Sequence, residues 1–510
     1  MSARAVVICG IASAAHADEI GYDALLARLS GQFIPTGAGV FVSQVEAPAG
    51  TALTYGPDQS LPEFSGKIFL AQSGVPVVSS HATTVAQSFY STTNSIATGI
   101  PTIYLWEANG FIGSSLRYGQ GAAAMPVAPP TTAMKIYNHS WIGGFSGSTP
   151  TAGDNEVLRR ADYAMNRDDT LAIVGVNNGS DSATYPMMAM GYHGLSIGLL
   201  DGNHSHGPVP AGGDGVGRMK PELVAPGLYT SFSAPVVSSV AALLFQTAAT
   251  HPLLIGNTNA DEPVVIRAAL LAGARHRTGW TNNPATSGVL KGVTTEPIDR
   301  IYGADVVNVD RSHRILTGAE RAGALTAAAA PISPPAAWDY EAFPSATSRF
   351  WRIRSSATIS ELSIVATWNR TQTSPIAIPT LPDLNLTLFR VNASGGLDSL
   401  EGDAASVYYQ SGNVASRSIV DNIEHIYLKN LAAGEYVIEV KRIGTTTAYS
   451  AFSLAWTMPA LSGDINLDGV VDGIDLAAVL SGWGGTTDGD VNGDGVVDGA
   501  DLAFVLSNWG

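Results

Sequence analysis

The chain has 510 residues, of which 45% are hydrophobic and 14% charged, and its formal net charge is −16 at pH 7. This length exceeds that of one ordinary domain, and the composition is that of a globular protein rather than a disordered one. The negative charge disfavours capture of nucleic acid and suits the binding of cations.

The first 17 residues have the pattern of a cleaved export signal, with Arg4, an apolar stretch and small residues before a cleavage site near Ala17. We therefore expect a secreted or cell-surface protein; a buried segment of a cytosolic protein is the alternative. The only cysteine, Cys9, lies in that signal, so a mature chain has no disulfide. No transmembrane segment is expected in the mature chain, because no other apolar run approaches the ~20 residues that span a bilayer.

Residues 37–318 alternate short β-rich apolar runs with helical ones. Strands are predicted at 39–42 and 171–174, and a buried helix at 236–247. Alternation of this kind predicts an α/β domain over residues 18–320, in which helices flank a parallel sheet.

Ser231 lies just before the apolar helix of this domain. Its N–H and the helix dipole can stabilise developing negative charge there, and we place Pro235 in the first turn, where a proline costs no hydrogen bond. Taken alone, the segment equally describes a helix cap at Thr230 or Ser231. A serine nucleophile also needs a base, an acid that orients the base, and donors for the oxyanion.

The composition changes after this domain. Residues 321–344, rich in Ala and Pro around 322–337, are predicted to form a linker. From 345 to 460 the pattern has a period of two, as at Leu384, Leu386 and Leu388, which predicts an antiparallel β-sandwich.

The last 50 residues contain an internal repeat, in which 462–484 and 488–510 match at 17 of 23 positions. Each repeat places oxygen-bearing residues around a loop with glycine at the sixth position, Gly469 or Gly495, as calcium sites require. The predicted ligands of the first loop are Asp464, Asn466, Asp468, the Val470 carbonyl, Asp472 and Asp475. Those of the second loop are Asp490, Asn492, Asp494, the Val496 carbonyl, Asp498 and Asp501. An acidic low-complexity tail is the alternative, but it would not keep this register.

Three motifs occur in the order and spacing of the subtilisin-like serine peptidases: HATTVA at 81–86, KPELVAPG at 220–227 and TSFSAP at 230–235. The resemblance implies that Ser231 is the nucleophile and His81 the general base. It further implies that Asn177 is the oxyanion donor, with Asn178 as the rival assignment. The resemblance also places Ser140, Trp141 and Gly175 along the bound substrate.

The sequence departs from the family at the acid that orients the histidine. The family has an aspartate at the end of the first strand, where this chain has Glu46. Asp58 and Glu63 also precede His81, but no motif supports them. A second departure is Tyr229, which replaces the glycine that usually precedes the Thr-Ser pair.

We therefore expect a secreted, monomeric serine endopeptidase that acts on protein or peptide substrates. The alternative is a catalytically inactive subtilisin-like scaffold that binds peptides or polymers. The module over 461–510 resembles dockerin repeats, which implies calcium as cofactor and a cohesin-like partner. His204 and His206 lack a third ligand for zinc and are predicted to lie in an exposed turn.

Overall fold

The computed structural model describes residues 17–50, 53–342, 347–444, 451–486, 489–492 and 495–510. Residues 1–16 of the predicted export signal and the predicted calcium ligand Asp494 lie outside the described residues.

A seven-stranded parallel sheet forms the centre of the first domain. Its strands are β1 (Phe41–Glu46), β2 (Ile68–Ala71), β3 (Thr102–Glu107), β4 (Met134–His139), β5 (Leu171–Gly175), β6 (Leu195–Leu199) and β7 (Leu223–Ala225). They are arranged in the order β7-β6-β5-β4-β1-β3-β2, and every neighbouring pair runs parallel. Strands β5, β6 and β7 are buried along their whole length, which is why they are mostly apolar in the sequence.

Helices flank this sheet, so the predicted α/β fold with a parallel sheet is confirmed. They are α1 (Tyr22–Arg28), α2 (Ser80–Tyr90), α3 (Ala152–Asp168), α4 (Thr230–Thr250), α5 (Pro263–Ala272) and α6 (Val309–Thr317). The helix α4 is apolar and long enough to cross a membrane by length and composition, contrary to the expectation from the sequence. It is buried against the sheet and other helices, as the core helix of a folded domain is.

An antiparallel sandwich follows, as predicted. Its strands are β8 (Val293–Thr294), β9 (Ala336–Glu341), β10 (Ser348–Ser355), β11 (Ile359–Trp368), β12 (Asp383–Val391), β13 (Leu397–Ser399), β14 (Ser411–Gly412), β15 (Ala415–Ser416), β16 (Ile423–Leu431), β17 (Gly434–Ile443) and β18 (Phe452–Thr457). One sheet has the order β8-β15-β12-β17-β10, with β13 beside β12, and the other has the order β9-β18-β11-β16-β14. Only the short β8–β15 pair is parallel among the described pairs of the two sheets.

The structure corrects the predicted linker over 321–344. Strand β9 lies inside it and pairs with β18 along six residues, and its Trp338 is fully buried. The Ala- and Pro-rich composition concealed this short strand. Strand β8 belongs by sequence to the first domain, yet it pairs with β15 of the sandwich.

A buried arginine joins the two large domains. Arg370, which follows β11 of the sandwich, bonds Asp162 of α3 at 2.6 Å and both carboxylate oxygens of Asp214 at 2.9 Å. Its guanidinium also stacks on Tyr192, 3.8 Å from the ring centroid. The sandwich is therefore tied to the helical layer of the first domain.

The C-terminal module consists of two short helices, α7 (Gly473–Ser481) and α8 (Gly499–Ser507). Asp472 and Asp498 cap them, each in a reciprocal capping box with the aspartate three residues later. Its small core is built from Val471, Val479, Val497 and Val505.

Candidate active site

Glu46 is the last residue of β1, at the carboxyl end of the sheet's central strands, and only 1% of its surface is exposed. Its Oε2 lies 2.8 Å from Nδ1 of His81, the second residue of α2. The Nδ1–H of a neutral imidazole donates to the carboxylate, so Nε2 is left as the ring's proton acceptor. Glu46 and His81 thus form the pair that a general base and its orienting acid require.

The pKa values of both groups lie above their usual ranges, for different reasons. The hydrogen bond that His81 donates to Glu46 raises the pKa of His81 above its usual range, against the opposing effect of burial. Burial raises the pKa of Glu46, while the hydrogen bond from His81 opposes that rise. The imidazolium that forms when His81 takes a proton is therefore stabilised by its neighbour.

The alternative acids lie elsewhere. Asp58 accepts hydrogen bonds from Ser60 at the surface, and Glu63 accepts one from Gln87. Neither has a hydrogen bond to His81 in the described residues, so Glu46 is the acid that orients it.

Ser231 is the second residue of α4, at the end of the helix that meets the sheet. Pro235 stands at the sixth helical position, beyond the first turn in which the sequence placed it. Because proline has no N–H, it leaves the Ser231 carbonyl without its usual helical partner. Ser140 supplies the replacement, since its Oγ donates to that carbonyl at 2.8 Å.

Among the described residues, Ser231 and His81 have no hydrogen bond to each other. Ser231 Oγ donates to the Ser140 carbonyl at 3.4 Å, a long contact. The His81 ring packs against Phe232, the next residue, with 5.7 Å between ring centroids. Such loose geometry is common in a catalytic pair before substrate binds.

The two candidate oxyanion donors, Asn177 and Asn178, have different hydrogen-bond partners. The amide of Asn177 donates to the Ala183 carbonyl at 3.2 Å. Asn178, the rival, instead accepts at Oδ1 from the N–H of Thr230 at 2.9 Å. This contact fixes Asn178 beside Ser231 with Nδ2 free of partners among the described residues. The first turn of α4 has no side-chain cap, which leaves the Ser231 N–H as a second donor.

The three predicted substrate residues have different surroundings. Gly175, at the end of β5, lets the backbone of α4 approach, because a Cβ there would lie 3.0 Å from the Thr230 carbonyl oxygen. Ser140 is buried and bonded to Ser231 in both directions. Trp141 is 8% exposed and donates to His139 at 3.2 Å, so its side chain supports the site from within.

Two polar residues near the site, Asn138 and Ser238, lie outside the three sequence motifs. Asn138 Nδ2 donates to Ser140 Oγ, and Asn138 Oδ1 accepts from Ser238 Oγ, both at 2.9 Å. Both residues are fully buried. A polar residue in the apolar stretch of α4, at Ser238, is the signal that could have pointed to them.

The first predicted calcium loop turns its side-chain oxygens inward. Asp464 Oδ1 and Asn466 Oδ1 each accept from the N–H of Asp468 at 3.0 Å, so two predicted ligand atoms face one point. Asp475 accepts backbone N–H groups from three residues of the loop. In the described residues no three His, Cys, Asp or Glu side chains converge as a metal site requires, because these carboxylates bind backbone N–H groups. The donor set is nevertheless the hard-oxygen set that calcium prefers.

His204 is buried, contrary to the predicted exposed turn. Its Nδ1 accepts from the N–H of Leu199 at 2.9 Å, and its Nε2 contacts the Ile301 carbonyl at 2.8 Å. These bonds occupy both ring nitrogens and give His204 a structural role.

Comparisons with known proteins complete the description. No family model and no curated protein matches the chain. The prenylagaramide maturation protease PagA is 18% identical over 57% of this chain and 98% of its own, with a TM-score of 0.38. A cold-adapted subtilisin-like serine proteinase is 17% identical over 41% of this chain and 77% of its own, with a TM-score of 0.30. Fervidolysin from Fervidobacterium pennivorans, a keratinolytic enzyme related to subtilisin, is 12% identical over 82% of this chain and 61% of its own, with a TM-score of 0.38. At these identities and TM-scores the comparisons do not assign a function, and the residues of the site carry the functional proposal.

Proposed function

We propose that the chain is a serine endopeptidase, with Ser231 as nucleophile. The observation that carries the proposal is the buried Glu46 bonded to His81 Nδ1 at 2.8 Å. Together they present a prepared base beside the uncapped first turn of α4, where Ser231 lies. The His81 side chain is 40% exposed, whereas its partner Glu46 is buried. A histidine with a purely structural role does not need a buried carboxylate as its partner.

Each step of peptide hydrolysis has a group in this site. Ser231 Oγ attacks the peptide carbonyl carbon while His81 Nε2 takes the hydroxyl proton, and Glu46 stabilises the imidazolium that forms. Asn178 Nδ2 and the Ser231 N–H donate to the oxygen that becomes negative. His81 then gives its proton to the leaving amine, and water releases the acyl group by the same steps in reverse.

Labelling with a fluorophosphonate tests this proposal, because only an activated serine reacts with it. We expect one label per chain on Ser231, located by peptide mass spectrometry, and none in Ser231→Ala. Ser233→Ala is the matched control, since the Ser233 hydroxyl lies two residues further along and has no hydrogen-bond partner among the described residues. Label on any other serine, or on none, contradicts the assignment.

A second candidate is the inactive scaffold that binds peptides or polymers. It is favoured by the bond from Ser231 Oγ to the Ser140 carbonyl, which gives the hydroxyl proton an acceptor other than His81. This candidate predicts no labelling, together with peptide binding that Ser231→Ala leaves unchanged. Equilibrium binding of a labelled peptide library to both variants distinguishes the two candidates.

The C-terminal module extends the proposal. We take its two loops as calcium sites. In the first loop, the carboxylates of Asp464, Asp468 and Asp475 would bind the cation in place of the backbone N–H groups that they now accept from. From 461 to 510 there are nine aspartates and no Lys or Arg, so bound calcium relieves strong repulsion. Export, the monomeric state and a cohesin-like partner belong to the same proposal. Calorimetric titration of the full chain with calcium, before and after Asp468→Ala, tests the metal sites.

A further inference from the structure

Gln44 lies two residues before Glu46 on β1, so both side chains emerge on the same face of the strand. Gln44 is fully buried. Its Nε2 donates to Glu46 Oε1 at 2.9 Å, the carboxylate oxygen that His81 does not use. Both oxygens of Glu46 are therefore held, one by the base and one by Gln44.

The orientation of the Gln44 amide is itself fixed. Nε2 also donates to the Ala82 carbonyl at 2.9 Å, and a flipped amide would place its oxygen against two acceptors. Its Oε1 accepts from the hydroxyl of Tyr90 at 2.5 Å. Tyr90 is the last residue of α2, whose second residue is His81.

Tyr90 remains a neutral donor in this position. It is fully buried, and burial together with the charge of Glu46 raises the pKa of its hydroxyl well above the ordinary value. Among the described residues, His81 is the titratable group that acts on the pKa of Glu46, and Glu46 in turn acts on the pKa of Tyr90. The hydrogen-bond chain thus runs from Tyr90 through Gln44 and Glu46 to His81, and joins both ends of α2 to β1.

We propose that Gln44 and Tyr90 are positioning residues of the active site, which hold the longer acid Glu46 so that it orients His81. A glutamate has one more rotatable bond than an aspartate, and each added bond widens the range of positions that its carboxylate can occupy. Fixing Oε1 removes that freedom and directs Oε2 at Nδ1. The inference rests on the proposed peptidase function.

The test compares Gln44→Met and Tyr90→Phe, which keep the volume of the side chains and remove the hydrogen bonds. Tyr436→Phe is the matched control, because Tyr436 is equally buried and donates to the Ala432 carbonyl at 2.6 Å, in the sandwich. Three quantities are measured for each protein: kcat and KM on a peptide substrate, the melting temperature, and the pKa of His81 by NMR titration without substrate.

We expect Gln44→Met to lower kcat by about 10-fold or more, with KM within about twofold, and Tyr90→Phe to lower kcat less. The pKa of His81 falls toward its ordinary value in both, because its bond to Glu46 is less often formed. Tyr436→Phe changes neither kcat nor the pKa of His81. A merely structural role lowers the melting temperature and leaves the His81 pKa and the kcat per folded molecule at the control's values.

Several outcomes separate this inference from the proposed function. An unchanged His81 pKa and kcat in folded Tyr90→Phe and Gln44→Met overturns the inference while the peptidase stands. If Gln44→Met fails to fold, Tyr90→Phe, which removes one hydroxyl, decides alone. If the parent chain neither hydrolyses peptides nor reacts with a fluorophosphonate, the proposed function fails, whereas the His81 titration still shows whether Gln44 and Tyr90 position the ring.

Discussion

The acid of the candidate triad is a glutamate at the end of a central strand, and its surroundings are adapted to it. Glu46 contacts His81 with one oxygen and Gln44 with the other, so the extra methylene is taken up inside the protein. An aspartate at this position would retract its carboxylate toward the strand and away from both partners. The substitution is thus part of a matched set of side chains.

Glu46→Gln tests the acid directly. We expect kcat to fall by ~10²–10⁴, because an amide cannot hold the imidazole in the same tautomer or stabilise its charge. Glu46 raises the pKa of His81, and His81 must be neutral to act as base, so activity is lost as pH falls through that raised value. In Glu46→Gln the acid limb of the kcat/KM profile therefore moves to lower pH. An acid limb at the same pH in both proteins contradicts the role of Glu46.

The two adjacent asparagines give a second residue-level prediction. Asn178→Ala is expected to lower kcat by ~10²–10³, the usual loss for one oxyanion donor. Asn177→Ala is the matched control and is expected to change kcat by less than about tenfold, because its amide donates to Ala183. A larger fall in kcat for Asn177→Ala than for Asn178→Ala would instead support Asn177 as the oxyanion donor, as the sequence resemblance implies.

These residues show where sequence reasoning stops. The helix start at Ser231, the strand end at Glu46 and the helix start at His81 follow from local patterns and motif order. The choice between Asn177 and Asn178 depends on which side chain faces Thr230, and that is decided by the turn after β5. Gln44, Asn138 and Tyr90 belong to no motif, because their roles arise only from packing between elements distant in sequence.

At the scale of elements, the site lies where strand ends meet two helix starts. β1 supplies Glu46, α2 supplies His81, and α4 supplies Ser231. Carboxyl ends of parallel strands share one edge of the sheet, which brings these residues together. The alternation of apolar runs predicted this sheet, whereas β9 was missed since its Ala-rich surroundings resemble a linker.

Gly175→Ala tests the contact between β5 and α4. The added methyl group would lie 3.0 Å from the Thr230 carbonyl oxygen and 3.4 Å from the Ser231 nitrogen, so the first turn of α4 must shift. We expect kcat to fall by about tenfold or more with little loss of binding, because small displacements of a nucleophile are costly. Gly113→Ala is the control, since a methyl group there meets no atom within 4 Å. Equal kinetics for both variants would show that α4 tolerates the shift.

At the scale of the whole molecule, the first domain and the sandwich share a buried charge network. Arg370 and Asp162 are 4% and 0% exposed in their side chains. Burial alone raises the pKa of Asp162, but the charges of His193 and Arg370 outweigh it and bring the pKa to about 2. We therefore expect the two domains to unfold in one transition.

Arg370→Met tests that coupling. It leaves Asp162 buried without its cation, which typically costs about 3–5 kcal/mol of the free energy of unfolding. Because the folded pKa of Asp162 is below its unfolded value, the stabilisation is present above pH ~4 and is lost as pH falls to about 2. Guanidinium unfolding at pH 7 and pH 3 measures both effects, with the exposed ion pair variant Arg300→Met as control. Two separate transitions in the parent chain would show that the domains are independent.

The central claim is that Ser231 is the nucleophile of a peptidase. Its most direct test is hydrolysis of casein and a mixed peptide library by the full chain in calcium, beside Ser231→Ala and Ser233→Ala. The account predicts cleavage by the parent chain and by Ser233→Ala, and none by Ser231→Ala. Cleavage that persists in Ser231→Ala, or the absence of cleavage in all three folded proteins, would contradict it.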